Sequence, residues 1–255
     1  MKRVLILLLT ALVLTGCRYQ TDKQYFAVAG EDVENVTEDE CLPLEEIKAP
    51  NFRRREIEKI ILDVPPLSQF PEYPAGCECV STIMALDWCG DKISTEDFID
   101  NYLPQSSDFY WKNGKGYGPS PYEYYLGTPY YKYSWGCMAP VIEKALLSYL
   151  DDDSRVKNTT GDDLETLAKT YLANGIPVIV WVTTNMLDVV YEFSWHLADG
   201  TLYNWPGNEH CMLLVGMDAE KYYFNDPYRG CRVGYSKDKV ELRYEQLGKQ
   251  SIVIN

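Results

Sequence analysis

Tyr73-Pro74-Ala75-Gly76-Cys77-Glu78-Cys79-Val80-Ser81-Thr82-Ile83-Met84-Ala85-Leu86-Asp87-Trp88-Cys89-Gly90 is the stretch on which the fold turns. Pro74-Ala75-Gly76 is a turn. A helix is predicted from Cys77 to about Trp88, with Gly90 stopping it as a C-terminal cap. Cys77, Ser81, Met84 and Trp88 recur at intervals of three or four and share a face. A cysteine that opens a helix sits among N–H groups with no intrahelical partner, at the positive end of the helix dipole. That setting favours a thiolate and offers donors to an oxyanion. The alternative for Cys77 is a small buried hydrophobe at a helix start.

Downstream the pattern stays helical before it becomes extended. Helices are expected at Thr95–Tyr102, at 139–150 with Pro140 in the first turn, and at 162–172 ended by Asn174-Gly175. From Val178 to Thr183 a β-branched run reads as a buried strand, and shorter strands follow at 210–217, 221–225, 240–244 and 251–254. Ile60 to Val64 is a first strand, stopped by Pro65-Pro66. Helices first and strands afterwards, without βαβ alternation, predict an α+β domain with an antiparallel sheet.

The chain contains two histidines, His196 and His210, which limits the choice of a general base. A thiol hydrolase needs a cysteine, a histidine and a third group that orients the imidazole. His210 opens the apolar strand that follows Gly207-Asn208-Glu209. Asp226 comes sixteen residues later, at the end of the next strand. A short turn at Asp218-Ala219-Glu220 would bring the two strands together and Asp226 beside His210. His196 is the rival base, placed in a polar loop. Asn225 is the rival orienter; adjacent strand residues face opposite ways, so only one of Asn225 and Asp226 can serve.

The chain resembles the peptidase-C-39-like family, papain-fold relatives of the bacteriocin double-glycine leader peptidases. The resemblance is carried by Pro65-Pro66-Leu67-Ser68-Gln69 with Tyr73 to Glu78, by Leu126-Gly127-Thr128-Pro129, by Gly136-Cys137-Met138-Ala139-Pro140, by Gly175 to Trp181, by His210 to Gly216, and by Asp226-Pro227. It covers residues 60 to 254 with all motifs in order. It implies Cys77 as nucleophile, His210 as base, Asp226 as orienting acid and Gln69 as an oxyanion-hole side chain. The 133 residues between Cys77 and His210 match the spacing of about 130–150 in papain-like enzymes. Cys79 and Cys211 depart from the pattern by flanking the nucleophile and the base. No ATP-binding cassette follows, so leader processing coupled to export is not expected.

The N-terminus speaks to location. Lys2 and Arg3 precede an apolar run from Val4 to Leu14 that is too short to span a hydrocarbon core, which takes about 20 helical residues. Residues 1–16 therefore read as a signal peptide, and Leu14-Thr15-Gly16-Cys17 resembles a bacterial lipobox in which Cys17 becomes lipidated. Residues 17–52 are an acidic tether, and 53–255 the catalytic domain. Removing residues 1–16 takes away Lys2 and Arg3 and moves the formal net charge from −14 to −16. So acidic a surface repels phosphate backbones, and nucleic acid is not an expected partner. The expected partners are a peptide or protein substrate, a cell-wall peptide among the options, and the membrane through the N-terminal lipid.

Besides Cys17 there are seven cysteines, an odd number, so at least one thiol is free. No Cys-x-x-Cys pair exists, which argues against zinc, and no cofactor is expected. Between Phe109 and Trp135 lie eight tyrosines, two tryptophans and one phenylalanine in 27 residues. This segment reads either as the lining of a substrate groove or as a loop packed by its own aromatics. The function these residues predict is peptide-bond hydrolysis through an acyl-enzyme. The alternatives are a cell-wall peptide amidase of the same fold and a catalytically silent ligand-binding lipoprotein.

Overall fold

The computed structural model describes residues 59–255. The signal peptide, Cys17 and the acidic tether lie outside that range. The elements run β1 (Lys59–Ile61), α1 (Cys77–Cys89), α2 (Thr95–Tyr102), β2 (Gln105–Ser106), β3 (Tyr110–Lys112), β4 (Lys115–Tyr117), β5 (Tyr125–Leu126), α3 (Ala139–Tyr149), β6 (Val156–Asn158) and α4 (Leu164–Tyr171). Then come β7 (Val178–Thr183), β8 (Tyr191–His196), β9 (Leu202–Pro206), β10 (Glu209–Asp218), β11 (Lys221–Asp226), β12 (Cys231–Ser236), α5 (Lys237–Gln246) and β13 (Ser251–Ile254).

The main sheet is antiparallel, in the order β12-β11-β10-β7-β13-β6, with β1 also pairing β10. Alternation along its strands feeds two cores. Ile179, Trp181, Cys211, Leu213 and Val215 pack with α1, α2 and α3 on one face. Val178, Val180, Val182, Met212, Leu214, Tyr222 and Phe224 pack with α4 and α5 on the other. Helix α1 is buried without interruption from Cys77 to Leu86, so it is a central helix and not an amphipathic cover. Its C-terminus is Gly90 at φ 92°, as the Gly signal predicts. Trp181, fully buried, contributes about 1.5–3 kcal/mol or more through its area alone. Its indole N–H also donates to the Cys137 carbonyl at 2.8 Å, which fixes the loop ahead of α3 to the sheet.

Two sequence expectations change. Residues 240–244 are expected as a short strand, and Val240, Leu242 and Tyr244 do alternate. They lie in α5, where Val240, Arg243 and Tyr244 are buried and Leu242 is exposed. The period is 3.6, and five residues were too few to separate it from 2. His196 is not in a loop but ends β8, which pairs with β9 in a second, four-stranded sheet, β3-β4-β8-β9. That sheet carries an aromatic cluster in which Trp135, Trp195, Trp205, Phe109 and Phe193 touch edge to face or at a tilt. The aromatic segment is therefore in part a packing device, while Tyr110, Trp111 and Tyr131 remain at least half exposed.

Candidate active site

The site forms where the N-terminus of α1 meets the start of β10. A tight turn delivers Cys77: Gly76 N–H donates to the Tyr73 carbonyl at 2.8 Å and Ala75 N–H to Pro129 at 3.2 Å. Gly76 must be glycine because a Cβ there would sit 2.8 Å from the Tyr73 Cβ. Tyr125, fully buried, donates its hydroxyl to the Ala75 carbonyl. Helix and strand are joined beside the site by the Ser81 hydroxyl, which donates to the Cys211 carbonyl at 3.1 Å.

His210 and Asp226 are brought together by the sheet. The register pairs Leu213 with Asn225, so the next position facing Asp226 is Met212, and His210, two residues further, shares its face as a diagonal neighbour. His210 Nε2 lies 2.8 Å from Asp226 Oδ1, both side chains buried. The Tyr228 N–H also donates to Asp226 Oδ1 at 2.9 Å, and the Arg229 guanidinium stands 3.8 Å from Oδ2. Asn225 is engaged elsewhere: its amide donates to the Val64 carbonyl at 2.8 Å and its oxygen accepts from Arg232. His196 Nδ1 lies 3.3 Å from the Gly116 carbonyl, in the other sheet.

Gln69 is buried on the loop that joins β1 to α1, and its backbone N–H donates to the Pro227 carbonyl at 2.9 Å. The loop is thus tied to the residue after Asp226. Its side-chain amide donates to the Pro74 carbonyl at 2.9 Å, while Oε1 has no partner. One amide hydrogen remains for an oxyanion; the other holds the turn that presents Cys77.

The thiol itself departs from expectation. Cys77 Sγ donates to Glu78 Oε2 at 3.2 Å, and among the described residues no hydrogen bond joins it to His210. Burial pushes the Cys77 thiol well above its ordinary range, and the carboxylates of Glu78 and Glu209 push it further. The Cys211 backbone N–H, one residue past His210, works in the opposite sense. The helix N-terminus is therefore outweighed, because loss of water around a thiolate costs more than one dipole end returns.

Glu78 and Glu209 were not singled out in the sequence. Glu78 Oε1 accepts the Cys137 N–H at 2.7 Å, and one oxygen of each carboxyl lies within 4.8 Å of the other and of the Cys77 sulfur. Gly136, at φ 122°, passes so close that a Cβ would stand 2.5 Å from Glu78 Oε1 and 3.1 Å from Glu209 Oε2. Burial raises both carboxyls, Glu209 far more than Glu78, which three hydrogen bonds and the His210 charge pull back. A lone carboxylate inside the apolar run Cys77–Leu86 was the available signal.

The other cysteines are distinct from Cys77. Cys79, Cys137 and Cys211 are free and 0% exposed, against 8% for Cys77. Cys89 is free and partly exposed, and Cys231 is disulfide-bonded.

The model of the Peptidase_C39 like family matches residues 61–252, nearly all of the described chain. The chain belongs to that family. Within it, the chain is 26% identical over 184 residues to the uncharacterised protein YvpB of Bacillus subtilis strain 168, covering 72% of this chain and 70% of YvpB. The crystal structure of a candidate C39-like peptidase from Bacillus anthracis superposes with a TM-score of 0.69 at 25% identity, covering 78% of this chain and 98% of that one. The α+β, papain-like fold of the C39-like proteins is thereby shown for this chain.

Proposed function

We propose that this C39-like protein is a cysteine peptidase that cleaves peptide bonds through Cys77, His210 and Asp226. The observation that carries the reading is the buried 2.8 Å contact between His210 Nε2 and Asp226 Oδ1, one residue from Cys211, whose carbonyl accepts the Ser81 hydroxyl of the helix that Cys77 opens. With Nε2 engaged, Nδ1 is the nitrogen free to exchange a proton. Catalysis requires the thiol to turn from Glu78 to His210, which takes its proton. The thiolate adds to the substrate carbonyl, and the oxyanion faces the free N–H groups of the first turn of α1 and the remaining amide hydrogen of Gln69. His210 then protonates the departing amine, and water hydrolyses the acyl-enzyme by the same route.

A silent binding protein is the second reading, favoured by the thiol's resting bond to Glu78. Peptide turnover decides between them. Wild type should cleave a peptide library and lose cleavage on His210→Ala, with Cys77 alkylation followed by peptide mapping so that Cys89 is resolved from it. A folded wild type that neither cleaves peptides nor accumulates an acyl-enzyme would remove the peptidase reading. For location we propose lipidation at Cys17, on the Leu14-Thr15-Gly16-Cys17 sequence. Among the described residues no helix is long and apolar enough to cross a membrane.

A further inference from the structure

We propose that Glu78 and Glu209 share a single proton at neutral pH, and that this pair holds the Cys77 thiol in a protonated resting pose and sets the pH at which Cys77 becomes reactive. The inference rests on Cys77 being the nucleophile and assigns its neighbours a positioning role.

The geometry leaves few alternatives for the two carboxyls. Glu78 is fully buried and spends both oxygens, one on the Cys137 N–H and one on the Cys77 thiol. Glu209 Oε1 is a buried oxygen without a hydrogen-bond partner. Gly136 closes over both, at a φ that only glycine adopts without strain. The titratable groups around the pair are Cys77 and Cys79 of α1, His210 and Cys211 of β10, Tyr125 of β5, Tyr203 of β9 and Cys137. None of these is a lysine or an arginine. With no lysine or arginine among these described neighbours, a fully buried carboxyl and one with a buried oxygen cannot both ionise cheaply, so one keeps its proton. Glu78 has the donors that stabilise an anion, and Glu209 is the member that retains the proton.

The consequence for Cys77 follows from charge. With Glu78 ionised, the thiol has an acceptor and the thiolate has a hostile neighbour, so the resting state is S–H. When the shared proton leaves at alkaline pH, a second negative charge faces the sulfur and reactivity stops rising with pH.

The test combines infrared spectroscopy with thiol mapping on the full chain. Wild type at neutral pH should show a protonated-carboxyl C=O stretch that is absent in Glu209→Gln. The rate of Cys77 alkylation by iodoacetamide, mapped by peptide mass against pH, should rise at lower pH in Glu78→Gln, by about tenfold near neutrality if the thiol is released by one pKa unit. In Glu209→Gln the alkaline plateau should vanish. The proposal is overturned if wild type lacks the carboxyl band, if a divalent cation copurifies in stoichiometric amount, or if the Glu78→Gln profile overlays that of wild type. The wild-type band is read without a substrate, and its absence in folded Glu209→Gln assigns it to the pair. A band with no peptide cleavage would sink the peptidase reading and leave the carboxyl pair standing.

Discussion

His210 and Asp226 meet at 2.8 Å across neighbouring antiparallel strands, both side chains buried. The adjoining Asn225 turns the opposite way, to the Val64 carbonyl and Arg232. The period-2 pleat thus assigns one of two adjacent polar residues to the histidine and the other to the loop that carries Gln69.

Replacing Asp226 by Asn should lower kcat by about 10²–10⁴, since the amide no longer favours the imidazolium and can hold the wrong tautomer. Asn225→Ala should instead lower stability by about 1–3 kcal/mol, because the buried Arg232 Nε loses its acceptor while the Val64 carbonyl keeps only the Arg232 Nη2 donor. Steady-state kinetics with parallel thermal melts distinguishes the two. Equal kinetic losses would take Asp226 out of its orienting role.

Cys77→Ser should abolish turnover while the fold remains. Cys79 is fully buried on the core side of the same turn, so Cys79→Ser should cost stability and retain most kcat. Active-site titration with an alkylating peptide, read as labelled protein per mole folded, checks this. A dead Cys79 variant with a live Cys77 variant would move the nucleophile by two residues.

Gln69→Ala removes two things at once. It takes away an oxyanion donor, worth about 10²–10³ in kcat, and removes the hydrogen bond to the part-buried Pro74 carbonyl, worth about 1 kcal/mol. Both kcat and Tm should therefore fall, with KM nearly unchanged because the donor acts on charge that develops in the transition state. If only Tm falls, Gln69 is a strut of the turn and no part of the oxyanion hole.

Glu209 also links stability to pH. Its folded-state pKa stands well above the ordinary 4.5 because of burial first and Glu78 second. Between those two values the folded state binds more protons at this group than the unfolded, so the contribution of Glu209 to stability is fully present below about pH 4.5 and is lost as pH rises through the folded value. Glu209→Gln should remove that decline. Chemical denaturation at a series of pH values should show the variant gaining on wild type from weakly acidic to alkaline conditions. Parallel curves would show that Glu209 ionises normally.

Cys17→Ala should leave an unprocessed or released protein that no longer enters the detergent phase on Triton X-114 partition. Unchanged membrane association would dispose of the lipid anchor.

Local signals carried much of the reading. Gly90 and Gly175 ended their helices at positive φ, and the apolar run at 178–183 became a central strand buried along its whole length. These are short-range effects, in which a cap or a β-branched run acts within one turn or one strand. The misread residues 240–244 show the limit of such signals. An alternation of three apolar positions fits both periods, and contact with β7 and β11 chose the helix by burying Val240 and Tyr244.

The amino-acid sequence by itself determined the order of elements, the α+β class and the residue types a thiol hydrolase would need, because turn chemistry, periodicity and motif order are written locally. Only the tertiary structure decided which of those residues meet. Glu78 and Glu209 lie 131 positions apart and are unremarkable as residue types. Packing α1 onto β10 sets them against each other and against Cys77, and burial converts two ordinary carboxyls into groups that oppose the thiolate. A charge's effect depends on what surrounds it, and that surrounding exists only once the chain has folded.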